Sequence, residues 1–171
     1  MKNKKIFSFD AETNGLWGKA FSIGAIVVGE DKQQTHTFVA RCPILGEVNS
    51  YVSANVLPQM ESIEITHMRY EEMLLSFIDF YREHKKDSDI IVHMGMPVEA
   101  RLFRDAHYYG FIGDYDAPYP LIDISAYPEI NTSVDTYCKD NNIVIPECQG
   151  GTHNPLYDSW AALLAYKHIK G

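Results

Sequence analysis

Three β-type runs follow one another within the first forty residues, at 5–10, 20–28 (AFSIGAIVV) and 34–40 (QTHTFVA). They are joined only by the turn-forming stretches TNGLWGK and GEDKQ. Connections this short serve antiparallel neighbours, because a parallel pair needs a crossover of about a dozen residues or more. The expectation is a sequential antiparallel meander. Beyond residue 70 the pattern changes to helix and strand in alternation. The segment YEEMLLSFIDFYREHKK (70–86) sets Met73, Leu74, Phe77, Ile78 and Tyr81 on one helical stripe. DIIVHM (89–94) reads as a strand, 97–109 as a helix and YPLIDI (119–124) as another strand. Residues 133–142 read as a short helix, and 154–170 as the terminal one. Residues 41–69, which hold Pro43, Gly46 and Pro58, read as an irregular connection with a short helix near 61–67. Three strands followed by this alternation predict an α/β fold: a central mixed five-stranded sheet, its first three strands antiparallel, flanked by helices. With no repeat or composition break, one domain is expected over residues 1–171.

Charge and cysteine usage narrow the classes. The formal net charge of −8 is unlike that of a protein that coats nucleic acid through a basic excess. It is compatible with a nuclease, since two bound divalent cations would halve it and supply a local positive field. Cys42, Cys138 and Cys148 are widely spaced and lack a CxxC pair, which favours free thiols over a disulfide frame or zinc site. MKNKKIFSF lacks the apolar run of a signal peptide, and no stretch approaches the ~20 apolar residues of a membrane span. A cytoplasmic protein without membrane contact is expected.

Acids stand where the pattern calls for apolar residues. In FSFDAETNGL (7–16), alternation points Phe7 and Phe9 one way and Ile6, Ser8, Asp10 and Glu12 the other. Two carboxylates one residue apart on one face repel each other. In the helix beginning near Pro97, Glu99 shares a face with Leu102, Phe103 and Ala106. In the terminal helix, with Asn154 as N-cap and Pro155 at N1, Asp158 is in register with Ala161, Ala162 and Ala165. Either acid, taken alone, serves as a first-turn partner of the helix dipole. Burying carboxylates without partners costs several kcal/mol, so the set calls for cations, hydrogen bonds or solvent. Divalent metals held by oxygen would satisfy Asp10, Glu12, Glu99 and Asp158 together. His153 precedes Asp158 by five, which on one continuous helix would splay the two by about 140°. Because Asn154-Pro155 starts the helix after it, His153 belongs to the loop CQGGTH, where Gly150 and Gly151 give backbone freedom, and can swing over the acids as a general base.

The ordered set Asp10-x-Glu12, Glu99 after VHMGMP, and His153-x4-Asp158 resembles the DEDDh family of 3′→5′ exonucleases. This is the DnaQ-like group of the ribonuclease H-like fold, which includes ribonuclease T, oligoribonuclease and proofreading domains. The resemblance spans residues 7–166, with FDAETNGL close to the first motif and HNPLYD carrying the third. The second motif departs from the pattern. His93 matches, but Met94 stands for the usual Asn and Glu99 for the usual Asp. Asp123, at the end of PLID, resembles an aspartate that supports rather than ligates.

The resemblance implies two Mg²⁺ ions, replaceable by Mn²⁺, held by Asp10, Glu12, Glu99 and Asp158, with His153 as general base. It implies release of 5′-mononucleotides from a single strand with a free 3′-hydroxyl. Thr13, Asn14, Gly15 and Leu16 would edge the site, with Leu16 wedged against the terminal base. Trp17 reads equally as a stacking surface or as turn packing. A small domain of this kind fits RNA better than DNA, and a homodimer is compatible with the family. A DNA-directed 3′→5′ exonuclease, an endonuclease of the wider fold and a catalytically weak nucleic-acid-binding module are the alternatives.

Overall fold

In the computed structural model, residues 4–29, 35–131, 133–147 and 151–171 are described. Five strands form one mixed sheet: β1 (Lys5–Thr13), β2 (Ala20–Val28), β3 (Thr35–Arg41), β4 (Ser88–Val92) and β5 (Ile122–Asp123). Their spatial order is β3-β2-β1-β4-β5. The chain's first strand therefore lies at the centre of the sheet. It is antiparallel to β2 on one side, Asp10 opposite Gly24, and parallel to β4 on the other, Ser8 opposite Ile91. Strand β3 pairs antiparallel with β2, and β5 parallel with β4. The expected α/β fold with a five-stranded mixed sheet between helices is present.

Period-2 alternation sends the two faces of β1 into different surroundings. Phe7 and Phe9 meet α1 (Tyr70–His84) and α2 (Val98–Tyr108) in an aromatic core. There the ring centres of Phe9 and Phe77 lie 5.3 Å apart and those of Phe9 and Phe103 5.8 Å apart, within the range of favourable ring pairs. On the opposite face, α3 (Val134–Asp140) and α4 (Pro155–Lys170) close a second cluster. Its small residues Ala161, Ala162 and Ala165 face Ile91 and Ile124.

Several boundaries differ from expectation. Strand β1 runs through Thr13, so both acids of the pair lie within it, and its register with β2 shifts between Glu12 and Thr13. The expected helix at 61–67 is absent; helical turns form instead at Val52–Val56 and Leu57–Met60. Strand β4 stops at Val92, with Met94 in the left-handed region at φ 55°. The strand expected at 119–124 shrinks to Ile122–Asp123, since Pro118 and Pro120 have no N–H to offer a ladder. Pro97 is the N-cap of α2 rather than its N1 residue. Asn154 caps α4 as expected, its Oδ1 accepting from the Leu156 N–H at 3.0 Å. Cys42 and Cys138 are buried free thiols; Cys148 and Gly150 lie outside the described residues. Among the described residues, no helix is long and apolar enough to cross a membrane.

Candidate metal centre

Asp10 and Glu12 project from the second half of β1, on the face that α4 covers. What lets α4 reach them is Gly24, directly opposite Asp10 on β2. A Cβ at Gly24 would sit 2.4 Å from the carbonyl carbon of Pro155 and 2.5 Å from the Leu156 nitrogen. Any side chain there would lift the N-terminus of α4 off the sheet. Ser159 fixes the approach, its buried hydroxyl lying 3.1 Å from the Gly24 carbonyl oxygen and 2.6 Å from that of Pro155. One turn into the helix, Asp158 arrives beside the acid pair. Carboxylate oxygens of Asp10, Glu12 and Asp158 lie within 4.8 Å of one another.

Glu99 reaches the site from the other side of the sheet's centre and is not part of that triplet. Its side chain is only 3% exposed, and Oε1 accepts from the Ala11 N–H at 3.0 Å, between the two acids of β1. Its charge still acts on both Asp10 and Glu12. The approach of α2 is set by Asp123, whose carboxylate accepts from the N–H groups of Met94 (3.0 Å) and Gly95 (2.9 Å) and from Ser125. Asp123 is thus a clamp on the loop that delivers Glu99, in keeping with a supporting role.

The electrostatics are those of a site short of positive charge. Burial, then the neighbouring charges of Asp158, Glu99 and Glu12, hold the Asp10 carboxyl well above the ordinary range. Burial is the main cause at the other acids too, pushing Glu99 up to about 8 and Asp158 to about 7 and raising Glu12. Four acids whose charged forms are disfavoured by burial and by one another gain most from a cation. The donors are all hard oxygens, the chemistry that suits Mg²⁺ and Mn²⁺.

His153 stands over this cluster. Its Nδ1 lies 3.5 Å from Glu12 Oε1, and its backbone N–H donates to Asp158 Oδ2 at 2.9 Å. The Glu12 carboxylate raises the imidazole pKa above the usual histidine value. The residue has φ 71°, sparsely populated without glycine, and stands two residues after Gly151, also at positive φ.

The turn after β1 is held on two sides. Arg101 on α2 donates to the carbonyls of Trp17 and Gly18. The Asn14 amide reaches the loop before Val52, donating to the Glu47 carbonyl (2.9 Å) and accepting from the Asn49 N–H (2.8 Å). Asn14 thereby ties the turn to the loop that leads into Val52. Gly15 is required as glycine, at φ 80° with Asn49 Nδ2 only 3.2 Å from where a Cβ would stand. Leu16 and Trp17, in contrast, are 62% and 69% exposed on this stiffened turn, and Thr13 ends β1 beside it. Met94 and Met96 are comparably exposed on the Asp123-clamped loop.

Three contributors escaped sequence reasoning. Gly24, Tyr51 (whose ring meets His153) and the clamping geometry of Asp123 all depend on long-range placement. Only the glycine left a signal, as a lone Gly inside the apolar run AFSIGAIVV, which marks close backbone approach.

No protein-family model matches the chain, and no curated protein matches it.

Proposed function

We propose that the chain is a metal-dependent 3′→5′ exonuclease of the DEDDh type, on a ribonuclease H-like fold, acting on single-stranded nucleic acid with RNA ahead of DNA. The observation that carries this reading is the convergence of Asp10, Glu12 and Asp158 under an imidazole that contacts one of them. The cluster sits on β1 just past its parallel pairing with β4, toward the carboxyl ends of the parallel strands, near where open α/β sheets commonly bind ligands. The exposed Leu16, Trp17, Met94 and Met96 on loops around it suit unstacked bases, which single strands offer and duplexes do not.

Asp10, Glu12 and Asp158 would hold two Mg²⁺ ions, with Glu99 completing the acid set from behind β1. Bound there, the ions would supply Lewis-acid activation and charge neutralisation at the scissile phosphate. The chain's own work is positioning and proton transfer. With Nδ1 turned toward Glu12, His153 has Nε2 left to accept a proton from the attacking water. The water oxygen bonds to phosphorus, the bond from phosphorus to the 3′ oxygen breaks, and that oxygen takes a proton from solvent. A 5′-mononucleotide leaves, and the shortened strand again ends in a 3′-hydroxyl. His153 then returns its proton to solvent.

The test is digestion of 5′-labelled linear and circular single strands of RNA and DNA, with Mg²⁺, with Mn²⁺ and with chelator. A ladder shortening from the 3′ end, abolished by chelator and absent for circles, is expected. Efficient cutting of circles would make the protein an endonuclease. Undiminished cleavage in chelator would end the metal-dependent reading.

A further inference from the structure

We infer that Tyr51 is a positioning residue for His153, tied through Asn49 and Asn14 to the turn that follows the acid pair; the inference rests on the proposed role of His153. The described part of the loop that carries His153 is tied down through backbone N–H groups. Nothing lies within 4 Å of where a Cβ would stand at Gly151, while the His153 N–H donates to the Asp158 carboxylate and the Asn154 N–H to the Gly151 carbonyl. Among the described residues, Glu12 and Tyr51 meet the ring itself. Glu12 lies 3.5 Å from Nδ1, and the Tyr51 ring stands at 82° to it with centroids 6.4 Å apart, an edge-to-face contact. A single carboxylate contact leaves an imidazole free to rotate about the line to that oxygen, and a second contact from another direction removes this freedom.

Tyr51 is itself 59% exposed, so core packing does not hold it. Its backbone does. The N–H groups of Tyr51 and Val52 both donate to Asn49 Oδ1, at 3.0 and 3.3 Å. Asn49 in turn donates its backbone N–H to Asn14 Oδ1, and Val52 is buried in the core. The result is a closed circuit: from Glu12 along β1 to Asn14, across to Asn49 and Tyr51, over to His153 and back to Glu12. Three segments far apart in the chain meet in it, through hydrogen bonds between Asn14, Asn49 and Tyr51 and a ring contact from Tyr51 to His153.

A residue that acts through His153 gives a defined pattern in steady-state kinetics. Tyr51→Ala should lower kcat by ~10- to 100-fold, the scale of a misplaced catalytic group, with KM nearly unchanged. Tyr51→Phe keeps the ring and should restore kcat to within about twofold. In a His153→Ala background, Tyr51→Ala should add no further loss, because the residue it positions is gone. Additive losses, or a rise in KM alone, would overturn the inference and make Tyr51 a substrate contact. A Tyr51→Phe variant as poor as Tyr51→Ala would overturn it in favour of hydroxyl chemistry. The second readout needs no substrate. A nuclear Overhauser contact between the Tyr51 and His153 rings should be present in the metal-free protein, retained in Tyr51→Phe, and lost in Asn14→Ala and Asn49→Ala. Its absence from the unsubstituted protein would overturn the positioning. Its presence in a protein without nuclease activity would keep the positioning and overturn the proposed reaction.

Discussion

Helices α2 and α4 each carry an acid in the first turn, Glu99 and Asp158, and each is preceded by a non-glycine residue in left-handed conformation, Met94 or His153. On sequence the two acids look equivalent. In the fold they are not. Glu99 is sealed from solvent and spends an oxygen on the Ala11 N–H, so it braces the strand that carries the other acids. Asp158 accepts one bond from its own loop and otherwise faces Asp10 and Glu12. The difference comes from how each helix is admitted. Gly24 lets the start of α4 settle directly on β2, whereas α2 is led in by a loop hung on Asp123. What a first-turn acid does is set by the clearance beneath its helix as much as by its position along it.

The largest effects expected are at the open side of this comparison. Asp158→Asn and Asp10→Asn should each reduce nuclease activity by more than ~10²-fold, beyond the 10- to 100-fold typical of groups that only orient ligands. Both should leave the metal-free protein as stable as before or more so, since each removes a disfavoured buried charge. Thermal melts beside activity assays check this, and marked destabilisation by both would return Asp158 to the role of a helix-dipole acid.

Gly24→Ala comes next. Its methyl would collide with the Pro155 backbone, and overpacking of this kind costs ~1–3 kcal/mol. Activity should fall further than that instability explains, because Asp158 is carried away from Asp10. Wild-type activity in this variant would separate the acid cluster from catalysis.

At the sealed side, the two functions of Glu99 can be split. Glu99→Gln keeps an oxygen for Ala11 N–H, so it should melt near the wild-type temperature yet lose activity even at high metal concentration. Glu99→Asp should keep partial activity with a changed preference between Mg²⁺ and Mn²⁺. Glu99→Ala should lose ~1–3 kcal/mol as well, the cost of leaving a buried N–H unpaired. Full activity in Glu99→Gln would mean that Glu99 only braces.

The smallest effect is one of pH. Glu99 and Asp158 hold their protons up to about 8 and 7 in the folded chain, against roughly 4 when unfolded. The folded state binds more protons between these limits, so the stability they contribute is present at acidic pH and lost as pH rises through 7 to 8. The metal-free protein should therefore melt progressively lower from pH 5 to pH 8.5, at about 2–4 °C per kcal/mol for a chain of this size. Mg²⁺ or Mn²⁺ at pH 8 should restore the loss, by ~2.7 kcal/mol at a hundred times the dissociation constant. A melting temperature flat with pH and indifferent to both ions would argue that the acids are solvated rather than crowded.

Much of this arrangement is legible in the chain because it follows from local periodicity. The alternation in FSFDAET, the stripe of α1 and the Asn154-Pro155 start of α4 give the elements and put Asp10, Glu12 and Asp158 on definable faces. The helical turns at 52–60 fall in a segment that Pro43, Gly46 and Pro58 make look irregular, though Val52 and Val56 have the one-turn spacing of a buried helical face. Gly24 under Pro155, Tyr51 beside His153 and the unequal duties of Glu99 and Asp158 arise from sheet register and helix docking, which no local window contains.

The parallel pairing of β1 with β4, and the docking of α4 across β1 and β2, carry a consequence for the history of each molecule. Asp10 and Asp158 belong to opposite ends of the sequence, and the loop between them closes only when nearly all the chain is in place. The local meander of β1, β2 and β3 can assemble from neighbours, but it holds just two of the acids. A species in which the final helix has yet to dock has neither the carboxylate triplet nor the imidazole above it. The proposed ion affinity would therefore be a property of the finished topology alone. A divalent ion bound there would favour the native state over every shorter-range intermediate, so the proposed site would double as a latch on the completion of folding.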